Sequence, residues 1–252
     1  MRLLIDLVPG DPRQGLAIDE AVFDSVRRGA EDAVRFWVNR RSAIVGRSQR
    51  VEDEVDTVFA ERSGISILRR ISGGGAVYHY AGNLNVSVVV GDARAVGSVG
   101  AAFRVFGAAI SEGLSEIGPA VSFVDNDLRI GADKVGGAAQ ARRGSTLLYH
   151  TTVLVRPAEI PMERILLALR PGYRAGGVAS RPRKTITLCE ADGRDLSMER
   201  ITAHLAPALV DVLGVRLDRA EITAAERADA KRLADAKYGE SRWNRSAQMT
   251  ER

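Results

Sequence analysis

The chain has 252 residues, 45% hydrophobic and 27% charged, with 36 Lys and Arg against 32 Asp and Glu. That is an ordinary globular composition, long enough to bury a sizeable core in one large domain or two small ones. A net charge of +4 built from both signs does not mark a nucleic-acid surface, and a single cysteine, Cys189, excludes an intramolecular disulfide and a Cys-rich metal site.

Residues 2–8 read as a strand. Asp6 interrupts their apolar run and no cleavage-like end follows, so no secretory signal is expected. No window reaches the roughly 18 apolar residues of a membrane span. The expectation is a cytoplasmic protein without membrane or nucleic-acid partners. Asp11 and Pro12 open a helix as N-cap and first helical residue, with Gln14 where a capping-box partner would sit. The helix carries Leu16, Ala17, Ala21, Val22 and Val26 and stops near Gly29. Residues 33–38, 42–46, 65–70 and 84–90 read as strands, with Val86, Val88 and Val90 on one face. Val99, Phe103, Phe106, Ile110, Leu114 and Ile117 recur at helical spacing across 98–117.

Residues 121–155 read as two or three strands around Asp127, Lys134 and Gly144, and helices follow near 159–169 and 197–213. The Gly-, Pro-, Arg- and Lys-rich stretch 171–195 reads as a long loop. Thr223 and Glu226 form a capping-box pattern for a last helix ending at Gly239. Strands and helices mix without strict alternation, which predicts an α+β fold with a mixed, largely antiparallel sheet and flanking helices. One domain is expected over 1–252, with a helical segment over about 197–240 and no boundary before about 195.

The densest chemical signal is Arg69-Arg70-Ile71-Ser72-Gly73-Gly74-Gly75-Ala76-Val77-Tyr78-His79. Successive glycines let backbone N–H groups close around phosphate oxygens, and two arginines at the lip would add charge-assisted hydrogen bonds. No Gly-Lys-Ser/Thr follows, so it is not a P-loop. Read alone, the loop serves either as a phosphate cradle or as a turn between two strands. The second signal is Asp125-Asn126-Asp127 followed by Lys134-Val135-Gly136-Gly137-Ala138. A lysine beside small residues suits a phosphate or carboxylate that changes bonding, and equally a solvated strand start. His79, His150 and His204 lack zinc-ligand spacing. Cys189 reads as a nucleophile or a small buried hydrophobe, and the basic run Arg181-Pro182-Arg183-Lys184 as an anion or acidic-carrier contact or a solvated loop.

Together these blocks resemble the lipoate–protein ligase family. The family's Arg-Arg-x-Ser-Gly-Gly-Gly-Ala-Val-Tyr/Phe-His then Gly-Asn segment is matched by Arg69 to His79 and Gly82-Asn83. Its Asn-Asp and Lys-Val/Ile-x-Gly-x-Ala block resembles Asn126-Asp127 and Lys134 to Ala138, and its His-x-Thr-Leu-Leu strand resembles His150 to Leu154. Gly15 to Glu20 is similar to the family's early helix, with Gly15 in place of the usual Asn. Lys237-Tyr238 and Trp243-Asn244 match its closing motif.

The resemblance implies the biotinyl/lipoyl ligase fold related to class II aminoacyl-tRNA synthetases, with a mixed sheet carrying the ligand and helices on its other face. It implies ATP and Mg²⁺ as cofactors, lipoate as substrate, and acyl-AMP formation followed by transfer to a lysine of a lipoyl carrier. Such a carrier is a 2-oxoacid dehydrogenase subunit, the glycine-cleavage H protein or a specialised carrier. By position, Lys134 would be catalytic. Arg70, Ser72, Gly73, Gly74, Gly75, Ala76, Val77, Tyr78, His79, Asn83, Asp127, Gly137, Ala138 and His150 would join it in binding ATP or the adenylate, and strand residues around Val77 and Val86 would cover the acyl chain.

Two departures stand out. Tyr80 occupies a position where the family usually has Asp, which would remove a carboxylate near the phosphates. The chain also stops eight residues after Asn244, where large members continue into an accessory domain, so it resembles bipartite ligases whose small accessory subunit is a separate protein. The competing expectations are an octanoyltransferase using Cys189 as acyl carrier and a non-catalytic lipoyl-binding partner.

Overall fold

The structure is a computed structural model that describes residues 1–248. β1 (Arg2–Gly10) enters α1 (Pro12–Arg27) through Asp11, whose carboxylate accepts the Arg13 amide while Pro12 fills the first helical position. Gln14 does not complete a capping box; the Arg13 guanidinium takes the Asp11 carboxylate instead. The chain continues through β2 (Ala33–Asn39), β3 (Ser42–Val45), the short helices α2 (Val51–Glu54) and α3 (Thr57–Arg62), β4 (Ser66–Arg69), β5 (Val77–His79), β6 (Asn83–Val90) and α4 (Val99–Ser115). Residues 121–155 form four strands, one more than expected: β7 (Ser122–Val124), β8 (Asp127–Ile130), β9 (Asp133–Arg143) and β10 (Thr146–Leu154). Asp125 and Asn126, both at positive φ, make the tight first turn, which hid β7 as a separate strand.

The helix expected near 159–169 is absent. Two single 3₁₀ turns stand there: the Ile165 carbonyl accepts the Asp56 amide and Leu166 bridges Val55, which breaks the segment between the two turns. The 171–195 loop holds α5 (Leu188–Asp192), started by a Thr187–Glu190 capping box. α6 (Met198–Leu213), β11 (Asp218–Arg219), α7 (Ala224–Leu233) with a π turn over Ala234–Tyr238, and α8 (Ser241–Ser246) follow, and the predicted Thr223–Glu226 capping box opens α7.

Eight strands form one sheet in the order β11-β1-β2-β6-β10-β9-β8-β7. β1 pairs parallel with β2 and β11, and the remaining pairings are antiparallel. Helices cover both faces. Leu84, Val86, Val88 and Val90 pack with Phe106, Ile110 and Leu114 of α4 and with α6, while Val89 and Leu148 belong to the core under α1 and α7. Burial on both faces explains why β6 has no exposed residue. Each such side chain stabilises the fold by about 1.5–3 kcal/mol relative to exposure. β3, β4 and β5 form a separate small sheet, and the glycine loop joins its two outer strands. No helix of the described residues is long and apolar enough to cross a membrane.

The closing motif is architectural. Lys237 Nζ lies 2.8 Å from both Glu20 oxygens, and the Tyr238 hydroxyl donates to Glu20 at 2.8 Å. Burial opposes the Glu20 charge, but Lys237, Tyr238 and Arg143 hold its pKa below the ordinary range.

Candidate active site

A cavity of about 310 Å³ opens between the glycine loop, β9, β10 and the start of α1. Among the expected residues, Arg70, Gly74, Gly75, Ala76, Val77, His79, Asp127, Lys134, Gly137, Ala138 and His150 line it. A second cavity of about 70 Å³ adjoins it and takes Tyr78 and Asn83, together with Met162, Leu166 and Leu169. Ala76, Val77, Lys134, Thr152, Ser180 and Arg181 belong to both, so they form the shared wall. Ser72 and Gly73 line neither.

The loop's path is fixed by close approach. A Cβ on Gly46 would lie 2.1 Å from the Gly74 carbonyl oxygen, and Gly74 itself sits at φ +88, so neither position accepts a larger residue without shifting the loop. Arg70 is buried and braces the loop from inside: Nε donates to Ser72 Oγ at 3.0 Å, Nη1 to Ile44 O at 3.2 Å and Nη2 to Gly75 O at 2.8 Å. Burial lowers its pKa to about 10, which leaves it cationic at neutral pH.

Arg69, expected at the lip, points the other way, because adjacent strand residues face opposite sides. It is 1% exposed and holds carbonyls of 46–49 and of 243–245. Val86 packs in the opposite core and does not reach the cavity. Tyr80 is likewise in that core: its ring stacks on Tyr78 at 5.4 Å and its hydroxyl donates to Arg156 O. The replacement therefore puts no phenol into either cavity.

Lys134 Nζ stands 2.8 Å from Asp127 Oδ1, and Arg183 Nε is 2.8 Å from Asp127 Oδ2. A Cβ on Gly137 would meet Lys134 Nζ at 2.7 Å, so glycine there is what lets the lysine fold across its own strand. The 180s segment fastens to the same place: Lys134 N donates to Lys184 O, and Ile186 N donates to Lys134 O. Ser180, buried, accepts from the Ala76 amide at 2.8 Å and donates to Glu54 at 2.6 Å, clamping this segment to the glycine loop.

Behind the cavity, Ser72 Oγ is 2.6 Å from His150 Nε2. Ser72 Oγ also accepts from Arg70 Nε, and the direction of its bond with His150 Nε2 follows the imidazole tautomer; His150 Nδ1 lies 3.9 Å from Asp19. Burial lowers the His150 pKa, which favours a neutral imidazole. Burial and neighbouring charge press the His79 pKa down to about 3.

The unfolded chain therefore takes up a proton near pH 6.5 at His79 that the folded chain refuses until far lower pH. Stability is full above pH 6.5 and falls as pH drops, by about 2 kcal/mol at pH 5 from His79 alone. Urea denaturation at pH 7.5 and pH 5 should show this loss in the wild type and a smaller one in His79→Gln; equal losses would refute it.

Leu16, Trp37, Ile44, Asn85, Ser180 and Arg181 line the cavity without having been singled out as site residues. Leu16 was visible only as one apolar position of α1, Arg181 only as the start of the basic run, and Ser180 only as part of the long 171–195 loop. Cys189 lines neither cavity, and its sulfur accepts the Leu196 amide at 3.3 Å.

Residues 11–210 match the model of the lipoyl protein ligase A/B catalytic domain. The chain is 32% identical to lipoate-protein ligase A subunit 1 of Thermoplasma acidophilum, over 96% of this chain and 95% of that one. The solved bipartite lipoate protein ligase of that organism superposes with a TM-score of 0.85 at 30% identity, covering 99% of this chain and 98% of that one. Octanoyltransferase LipM of Symbiobacterium thermophilum is 30% identical over 92% of this chain and 93% of its own. A lipoate-protein ligase A solved with bound ATP has a TM-score of 0.81 at 30% identity, over 98% of this chain and 99% of that one. The chain belongs to the lipoyl protein ligase A/B catalytic domain family.

Proposed function

We propose that this protein activates lipoate or octanoate with ATP as the acyl-AMP and transfers the acyl group to a lysine of a lipoyl carrier domain. The observation that carries this reading is Lys134 in the wall shared by two cavities. The larger cavity has apolar lining at Leu16, Trp37, Ile44 and Val77 and suits an acyl chain. The smaller, with Tyr78, Asn83, Met162, Leu166 and Leu169, suits a purine base. The carboxylate and the α-phosphate then meet at Lys134.

In the first step a carboxylate oxygen attacks the α-phosphorus and pyrophosphate leaves. Lys134 and the loop N–H groups offset the added negative charge. In the second, the carrier amine attacks the acyl carbon, AMP leaves and the amine's proton goes to solvent. The Ser180 clamp limits water at the anhydride until the carrier arrives. No enzyme nucleophile is needed. Among the described residues no three His, Cys, Asp or Glu side chains converge on a metal position, and both Asp127 oxygens face cations. Mg²⁺ thus belongs to this reading as a companion of the nucleotide phosphates. The likeness to a bipartite ligase supports a separate accessory subunit and lipoyl carriers as partners.

The similarity to an octanoyltransferase favours one competing reading, a cysteine acyl-enzyme. The position of Cys189 speaks against it. Incubation with ATP, Mg²⁺, octanoate or lipoate and a lipoyl domain, with and without an accessory subunit, followed by weighing of the domain, decides between them. The expected result is acylation that requires ATP and changes less than about twofold in Cys189→Ser, since a residue outside both cavities contributes little to the barrier. ATP-independent acylation abolished by that substitution would establish the transferase instead.

A further inference from the structure

Gly15 lies inside α1, where glycine is less favourable than alanine, so its presence calls for a local reason. The reason is the Trp37 ring. A Cβ on Gly15 would sit 2.5 Å from Trp37 Cζ3 and 3.1 Å from Cε3, with Asn39 Cγ at 3.2 Å. The indole is held on its other sides. Nε1 donates to Ser87 Oγ at 3.0 Å, the Arg35 guanidinium lies 4.6 Å from the ring centre, and His79 meets it edge-on at 5.7 Å. Arg35 is itself tied to the helix through Gly15 O at 2.8 Å and Asp19 at 2.7 Å. The ring's remaining freedom is toward the cavity it lines.

We propose that Gly15 sets the depth of the acyl cavity: the missing side chain lets the Trp37 indole lean back against α1, which admits medium-length acyl chains. This rests on the acyl-cavity assignment made above. Any side chain at position 15 pushes the six-membered ring toward the cavity it lines and reduces the room for the acyl chain. The effect falls on long acids and spares short ones, which separates it from a general loss of structure.

The test compares wild type and Gly15→Ala with hexanoate, octanoate, decanoate and lipoate, reading pyrophosphate release with ATP and Mg²⁺. The expected result is a loss of kcat/KM of about tenfold or more for octanoate, decanoate and lipoate, carried by KM, with hexanoate changed less than about twofold. A folded Gly15→Ala enzyme with the wild-type ranking of acids overturns the proposal. If the wild type releases no pyrophosphate with any acid, the ligase reading fails. Calorimetric binding of the same acids then reads the depth, and an unchanged ranking overturns it. If Gly15→Ala does not fold, the double variant Gly15→Ala/Trp37→Phe decides: recovery of folding assigns the clash to the indole, and continued failure overturns it.

Discussion

Lys134→Ala is expected to lower acyl-adenylate formation by about a thousandfold while the protein stays folded. The size follows from the charge that develops at the α-phosphorus: removing one preorganised donor from such a site costs about 10²–10³ in rate, and Lys134 is, with Arg181, one of two cations common to both cavities. The fold is expected to survive because the Lys134 side chain is 25% exposed and the buried Asp127 carboxylate keeps Arg183 Nε at 2.8 Å when the lysine is removed. Lys134→Arg is not expected to restore activity. A guanidinium spreads its charge over a planar fork and cannot place one compact ammonium where Lys134 Nζ stands 2.8 Å from Asp127. Asp127→Asn keeps the lysine but removes its anchor, so a smaller loss of about ten- to a hundredfold is expected, mainly in kcat. Pyrophosphate release under single-turnover conditions, beside thermal melts, measures all three. A Lys134→Ala protein that melts normally and forms adenylate at near wild-type rate would remove Lys134 from the mechanism.

Much of this site was legible because its chemistry is local in sequence. Three consecutive glycines after two arginines announce a loop of unusual backbone freedom, and Asp127, Lys134 and Gly137 stand within eleven residues on two paired strands. Helix starts at Asp11 and Thr223 were readable for the same reason, since a cap acts over two or three residues. What was not legible depends on residues far apart in the chain. The Ser180–Ala76 contact spans 104 positions and Glu54–Ser180 spans 126, and nothing near either residue announces the other. At Tyr80 the resemblance implies an Asp beside the phosphates. Strand alternation turns the tyrosine into the core, where Tyr78 already lies. Three-residue strands such as β5 and β7 are too short to show a period of two, and both were missed as separate elements.

The same alternation governs the largest stability effect expected in the protein, at Arg69. A buried guanidinium without a carboxylate partner is unusual. Here its charge is solvated by backbone: Nη1 donates to Gly46 O at 2.8 Å, Arg47 O at 3.0 Å and Gln49 O at 2.7 Å, Nε to Trp243 O and Asn244 O at 3.1 Å, and Nη2 to Arg245 O at 2.8 Å. Its backbone is held from the same side, with the amide on Asn244 Oδ1 and the carbonyl accepting the Trp243 indole N–H at 2.9 Å. One side chain thus joins the 46–49 turn, β4 and α8 at the point where the chain enters the glycine loop. Arg69→Leu takes a donor from all six carbonyls, of which Gly46 O and Trp243 O keep the Gln49 and Ala247 amides, and the expected loss is about 3 kcal/mol. For a chain of this length that lowers Tm by about 6–12 °C. Arg69→Lys should fall between the two, because an ammonium keeps the charge but cannot bridge both carbonyl groups as the planar fork does. Amide exchange in 240–246 should accelerate in Arg69→Leu more than exchange in β6, since α8 loses its fastening while the central strand keeps its own. The KM for ATP should rise as well, because Arg70 braces the glycine loop from the next residue on the strand that Arg69 anchors. An Arg69→Leu protein that melts within about 2 °C of the wild type, less than 1 kcal/mol on the same scale, would mean that α8 is held by Trp243 and Asn244 alone.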